Sequence, residues 1–171
     1  MSIGKYITAY RSPIGPMTLA SDGTALTGLW LDGQKYFGST LAPKVCCKEL
    51  EVFGETVKWL DLYFTGRQPD FTPPLRTEGS DFRKGVWEIL RSVPYGKTVT
   101  YGQIAGQLEQ ETGKSVSAQA VGGAVGHNPL MLIIPCHRVI GAHGNLTGYA
   151  GGIDKKMWLL QQEGIFLPSK K

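Results

Sequence analysis

Cys136 is followed directly by His137 and Arg138, and Pro135 separates it from the apolar run Leu130 to Ile134. A thiol attacks only as its thiolate, and basic or cationic neighbours raise the thiolate population. A cysteine beside a base, with a carboxylate to orient that base, is the general plan of sulfur nucleophiles. Glu163, at the end of the last apolar-periodic segment, is the carboxylate that could orient His137. The competing reading is that Cys136 is a small buried hydrophobe, the ordinary fate of a free cysteine. The other cysteines, Cys46 and Cys47, are adjacent. An odd count with one vicinal pair does not make a disulfide framework, because neighbouring cysteines bridge only with strain. No CxxC or HxxxH spacing is present, so no metal site is expected.

The elements that must hold these residues follow from periodicity. Residues 4–31 read as a β meander, with a turn at Ser12 to Pro16, a strand from Met17 to Ala20, a hairpin signal at Asp22-Gly23 and a strand from Leu26 to Leu31. Residues 32–46 read as loop. Leu50, Phe53, Val57, Leu60 and Phe64 recur at helical spacing, and Gly66 can end that helix. The Pro-, Thr- and Asp-rich stretch from Arg67 to Gly79 reads as a linker.

The second half reads as short helices. Ser80 can cap one that buries Phe82, Val86, Ile89 and Leu90, broken at Pro94-Tyr95-Gly96. Val99 lies in a short extended piece. Thr100 with Gln103 is a capping box for a helix to about Leu108. Ser115 or Ser117 can start the next helix, with Ala120, Val121, Ala124 and Val125. Two short helices across a tight turn form the helix-turn-helix pattern. Asp154 can cap a last helix with Met157, Leu159 and Leu160 on its buried face. The expected class is α/β. A small N-terminal α/β domain with its linker (1–77) has a short antiparallel sheet plus a helix. A mainly helical C-terminal domain (78–171) carries a winged-helix-like helix-turn-helix.

Composition narrows the setting. Of 171 residues, 42% are hydrophobic and 19% charged, enough for a core and too few charges for a disordered polyelectrolyte. No apolar run reaches membrane-span length, and the start, MSIGKYITAY, has no signal core, so a cytoplasmic protein is expected. The net charge of +4 is compatible with a nucleic-acid partner and equally with ordinary solubility. Residues 1–77 carry 8 Lys/Arg against 7 Asp/Glu, and 78–171 carry 10 against 7, so the second half is better placed to meet phosphates.

The motifs also lie in a telling order. Asn128-Pro129, Ile133-Ile134-Pro135-Cys136-His137-Arg138-Val139-Ile140-Gly141 and Gly148-Tyr149-Ala150-Gly151-Gly152 strongly resemble the O6-alkylguanine-DNA alkyltransferase (methylated-DNA–protein-cysteine methyltransferase) family. Val86-Trp87, Pro94-Tyr95-Gly96, Thr100-Tyr101, Ala120-Val121-Gly122, Trp158-Leu159-Leu160 and Glu163-Gly164 extend the match from about Phe82 to Gly164. The first 77 residues match only in layout.

The resemblance implies irreversible, one-per-molecule transfer of an alkyl group from O6-alkylguanine, and from O4-alkylthymine, in double-stranded DNA to Cys136 after base flipping. It implies His137 as the base acting through a bridging water, Glu163 as its hydrogen-bond partner, and Tyr101 as the hydroxyl that donates to guanine N3. Such a donor stabilises guanine leaving as an anion. Asn128 corresponds to a hinge tying the helix-turn-helix to the active segment. Val139, Tyr149 and Ala150 correspond to the pocket wall. Arg138 belongs to the same motif, with a role in pairing within the fold rather than in touching substrate. No cofactor is implied, because the damaged base carries the group.

Two positions depart from the pattern. Gln119 stands where many relatives place an Arg that enters the duplex, and Gln lacks the guanidinium's charge and stacking plane. Ala150 stands where some relatives have Ser. The zinc ligands of some relatives' N-terminal domains have no counterpart, since no His precedes His127. The alternatives are a cysteine hydrolase, a non-catalytic damage binder and a helix-turn-helix regulator with an inert cysteine. In hydrolases the His is usually distant from the Cys in sequence, and relatives that only bind damage lack this cysteine. With no dimerisation heptad visible, a monomer is expected.

Overall fold

The computed structural model describes residues 3–146 and 148–166. The chain divides into two compact units, Met1–Glu78 and Gly79–Lys171.

In the first unit, β1 (Gly4–Ser12), β2 (Gly15–Ser21) and β3 (Leu26–Leu31) form the expected antiparallel meander. The stretch read as loop holds a fourth strand, β4 (Leu41–Cys47), parallel to β1, so the sheet order is β3-β2-β1-β4. Pro43 and the mostly exposed side chains hid it. An edge strand needs neither a full set of N–H donors nor an apolar face. Every residue of β3 is buried. The Trp30 indole fills the space that a Cβ on Gly28 would need, which is why glycine sits inside this strand.

Helix α1 (Glu51–Phe64) packs on β1, β2 and β3. Its buried stripe is Val52, Phe53, Thr56, Trp59, Leu60 and Tyr63, rotated from the expected one. Thr56 is admitted to that stripe because its hydroxyl donates to the Val52 carbonyl at 2.7 Å. Gly66, at φ 85°, lies just past the helix end, in the left-handed conformation that glycine takes without strain. Within the stretch read as a linker, Leu26 N donates to Pro74 O at 2.7 Å and Arg76 N to Leu26 O at 3.0 Å.

In the second unit, α2 (Asp81–Arg91) begins where the Ser80 hydroxyl accepts from Arg83 N and buries Val86, Trp87, Ile89 and Leu90. Burying each such side chain contributes about 1.5–3 kcal/mol. The indole N–H of Trp87 is satisfied by Ala124 O at 2.9 Å, which docks α2 on α4 (Ala118–Gly126). Helix α3 (Tyr101–Thr112) opens with the complete Thr100/Gln103 capping box and runs past Leu108 to Gly113, whose φ of 72° closes it. The cap of α4 is Ser117.

The extended pieces β5 (Val99–Thr100) and β6 (Val139–Ile140) pair in parallel, Val99 with Val139 and Thr100 with Ile140. This short ladder binds the start of α3 to the segment that follows Cys136. The last helix, α5 (Ile153–Gln162), departs from expectation. Its N-cap is Gly152, with no side-chain cap, and Asp154 lies inside the first turn. Met157 is exposed, and Lys156 takes a buried place beside Leu159 and Leu160.

Candidate active site

The residue after Pro135 begins a single turn of 3₁₀ helix, Cys136–Arg138, against which α5 packs. All three side chains are buried, and Cys136 is 6% exposed. The approach to this turn is tightly held. Asn128, itself buried, accepts from Leu130 N at 2.9 Å and donates Nδ2 to Ile134 O at 2.7 Å. Between those clamped points Leu132 has φ 72°, a conformation costing a non-glycine residue about 1–2 kcal/mol. The clamp and the Ile134 N to Leu130 O bond of 2.9 Å hold that turn closed.

Glu163, the residue after α5, is the hub. Its carboxylate meets His137 Nε2 at 2.6 Å and accepts from Arg138 Nε at 2.9 Å, Arg138 Nη2 at 3.2 Å and the Gly96 backbone N–H at 3.0 Å. Burial alone would raise its pKa. The His137 hydrogen bond and the Arg138 guanidinium override that and hold it at about 2. Burial, aided by the positive charges of Arg138 and Lys156, pushes His137 below its usual value, although Glu163 pulls the other way. His137 is therefore the neutral imidazole at neutral pH. The ionised Glu163 accepts its Nε2–H, which makes Nδ1 the basic nitrogen. Arg138 also donates Nη1 to Val93 O at 2.8 Å and lies over the Tyr95 ring, so it is committed within the fold.

Burial pushes the Cys136 thiol up, against hydrogen bonds from Asn128 and Tyr149 and the charge of Lys156. Of the residues singled out from sequence, the fold thus brings together Cys136, His137, Arg138, Glu163, Asn128 and Tyr149. Val139 is fully buried in β6. Ala150 lies half-buried in the turn before α5. Tyr101 opens α3, half-buried beside Gly122 of α4. Gln119 stands apart, on the exposed first turn of α4. Lys156 was missed from sequence. A signal existed, since Lys156, Leu159, Leu160 and Glu163 fall at i, i+3, i+4 and i+7, one face of a helix. Among the described residues, no group of three or more His, Cys, Asp or Glu is arranged to hold a metal ion.

The site thus holds a buried thiol and a neutral His oriented by a buried carboxylate, in a unit whose α3 and α4 form a helix-turn-helix. Family models agree at both ends of the chain. Residues 81–165 match the 6-O-methylguanine DNA methyltransferase DNA binding domain, and 5–77 match its ribonuclease-like domain. The methylated-DNA–protein-cysteine methyltransferase of Mycobacterium tuberculosis is 45% identical over 158 residues, 92% of each chain. That of Methanosarcina acetivorans is 42% identical over 160 residues, 93% of this chain and 98% of that one. The crystal structure of Mycobacterium tuberculosis OGT in complex with DNA superposes with a TM-score of 0.81 at 42% identity, covering 92% of each chain. The Methanococcus jannaschii O6-methylguanine DNA methyltransferase gives 0.63 at 30% identity, covering 96% of this chain and 97% of that one. The chain belongs to the O6-methylguanine DNA methyltransferase family.

Proposed function

We propose that this protein repairs DNA by direct reversal, taking the alkyl group of O6-alkylguanine, and of O4-alkylthymine, onto Cys136. The observation that carries the assignment to Cys136 is its burial beside the His137–Glu163 pair, since a buried thiol with a raised pKa needs a base. With Nε2 engaged by Glu163, the thiol proton passes to His137 Nδ1 through a water, and Glu163 stabilises the imidazolium that forms. The Cys136 sulfur then attacks the alkyl carbon in line. The C–O6 bond breaks and its electron pair leaves with guanine, to whose ring nitrogen Tyr101 donates. The product thioether has no leaving path, so each molecule acts once.

Residues 78–171 form the alkyltransferase and DNA-binding domain, and 1–77 the N-terminal α/β domain with its linker. A thiol this buried cannot reach O6 inside a stacked duplex, so the base must flip. Tyr149, Ala150 and Val139 wall the pocket that receives it, Asn128 ties α4 to that pocket, and Gln119 meets the duplex. Arg138 serves the site through Glu163. The protein works as a monomer, without a cofactor, in the cytoplasm. Among the described residues no helix is long and apolar enough to cross a membrane.

The test is peptide mass spectrometry after mixing the protein with excess duplex carrying one O6-methylguanine. The expected result is one methyl per protein, on the Cys136 peptide, and none in Cys136→Ala. A repaired duplex with unmodified Cys136 would sink the assignment.

A further inference from the structure

The break between α2 and β5 does more than end a helix. Pro94, Tyr95, Gly96 and Lys97 close a β-turn, with Lys97 N donating to Pro94 O at 3.1 Å. Gly96, at its third position, has φ 77°, while Tyr95 keeps a negative φ. That combination is a type II turn, whose third residue takes a φ that glycine adopts without strain. Types I and II differ by about a half-rotation of the central peptide. Here that peptide turns the Gly96 N–H onto Glu163 Oε1 at 3.0 Å. The opposite rotation would turn the Tyr95 carbonyl toward the carboxylate. Space adds to the demand for glycine, since a Cβ on Gly96 would sit 3.4 Å from the Glu163 backbone oxygen.

The same few residues hold Arg138 from two sides. Val93 O accepts from Nη1 at 2.8 Å, and the guanidinium carbon lies over the Tyr95 ring, 5.6 Å from its centre. Nε and Nη2 are left for the two oxygens of Glu163, at 2.9 and 3.2 Å. The Glu163 side chain is fully buried and that of Arg138 is 10% exposed, so these bonds act where the dielectric is low.

We propose that the turn from Val93 to Gly96 is a positioning element of the alkyl-transfer site, which fixes the Glu163 carboxylate so that Oε2 stays on His137 Nε2. The role rests on Cys136 being the alkyl acceptor and His137 its base. Tyr95 and Gly96 act through Arg138 and Glu163, not on the reacting atoms. A carboxylate held by the guanidinium alone can rotate with it and leave the imidazole. With Oε1 pinned by the Gly96 N–H, and the guanidinium held by Val93 O and the Tyr95 ring, Oε2 remains 2.6 Å from His137 Nε2. Nε2 then keeps its proton, and Nδ1 is the nitrogen that takes the proton of the Cys136 thiol. Loosening the turn lets the carboxylate swing, His137 samples the other tautomer, and fewer molecules are ready to accept that proton.

The experiment uses the full chain and three substitutions. Tyr95→Phe keeps the ring, Tyr95→Leu removes it, and Gly96→Ala puts an L side chain at positive φ. One readout is the single-turnover rate of methyl uptake against the concentration of duplex carrying one O6-methylguanine, which separates the saturated rate from the half-saturating concentration. The other is the tautomer of His137 from its ring nitrogen NMR shifts without DNA, assigned by their loss in His137→Gln. We expect the native chain and Tyr95→Phe to show the Nε2–H tautomer and to agree in saturated rate within about twofold. We expect Tyr95→Leu and Gly96→Ala to lower the saturated rate about tenfold, a part of the roughly 10²–10⁴-fold that a positioned base supplies, with mixed tautomers and an unchanged half-saturating concentration. Folded variants that keep the native tautomer and saturated rate overturn the proposal, and so does a loss confined to the half-saturating concentration or a Tyr95→Phe as slow as Tyr95→Leu. If Tyr95→Leu and Gly96→Ala do not fold, deuterium exchange of the native chain decides. A Gly96 amide that exchanges like an unprotected one overturns the proposal, and a protected one with His137 as Nε2–H upholds it. A native chain that leaves Cys136 unmethylated refutes the acceptor reading instead, and the tautomers still decide on the turn.

Discussion

Replacing Glu163 by Gln removes one charge and keeps the shape, so it isolates what the carboxylate does. The pKa of Glu163 falls from 4.5 to about 2 in the fold. A shift of about 2.5 units is worth about 3 kcal/mol at 1.36 kcal/mol per unit. For a carboxylate lowered on folding, that stability is present in full above the unfolded pKa and is lost as pH falls through the folded one. The expected curve is flat from pH 7 to about 5.5. It loses about 1 kcal/mol by pH 3.5 and most of the contribution by pH 2.5. Urea unfolding of the native chain and Glu163→Gln at matched pH measures this. The variant should be less stable at pH 7 by about 2–3 kcal/mol, since Gln can still accept from Gly96 N–H, and the two curves should converge as pH falls toward 2.5. Equal stability at pH 7, or a gap that persists undiminished at pH 2.5, would refute the hub role of Glu163.

Asn128→Ala leaves the buried Leu130 N–H without its partner, while the Ile134 carbonyl keeps the Cys136 N–H at 2.8 Å, and should cost about 2 kcal/mol, read from chemical denaturation; a loss under about 1 kcal/mol would mean the clamp is dispensable. Gln119→Arg should tighten duplex binding and steepen the salt dependence by about one counterion per added phosphate contact, as a binding titration at several salt concentrations would show; an unchanged slope places residue 119 away from the phosphates. Gly28→Ala forces the Trp30 indole from its place and should destabilise the N-terminal unit by about 1–3 kcal/mol, with a shifted tryptophan emission; unchanged emission would mean the ring can yield.

The parts that were legible in the sequence share one property: a local rule decides them. The capping box of Thr100 and Gln103, the Ser80 and Ser117 caps and the hairpins of β1 to β3 depend on residues within a few positions of each other. The ladder joining Val99 to Val139 spans 40 positions and has no local sign. Strand β4 was invisible because an exposed edge strand needs no apolar alternation, and Pro43 argued against it. Lys156 was lost for a different reason. Hydropathy assigns lysine to water, so the last helix was phased on Met157, although Glu163 at i+7 pointed to a polar stripe turned inward. The Cys136–His137–Glu163 grouping was legible from residue chemistry and motif order, and the deep burial of its members emerged only with the fold.

Helix α4 is written in the smallest side chains available, Ala-Gln-Ala-Val-Gly-Gly-Ala-Val-Gly. Its three glycines each forgo up to about 1 kcal/mol of helix propensity, and at Gly123 and Gly126 a methyl would meet nothing within 4 Å. Crowding does not explain them. The helix is held by its docking on α2 and α3, through Val121, Ala124, Val125 and the Trp87 indole, rather than by its own chain. Its order therefore depends on that docking, and local unfolding is its expected route of opening. Its amides should exchange with solvent deuterium sooner than those of α2, and anything that grips its outer face will slow that exchange. The element carrying Gln119 is thus a loosely held finger on a firm palm, and the energy of ordering it is taken from whatever it touches.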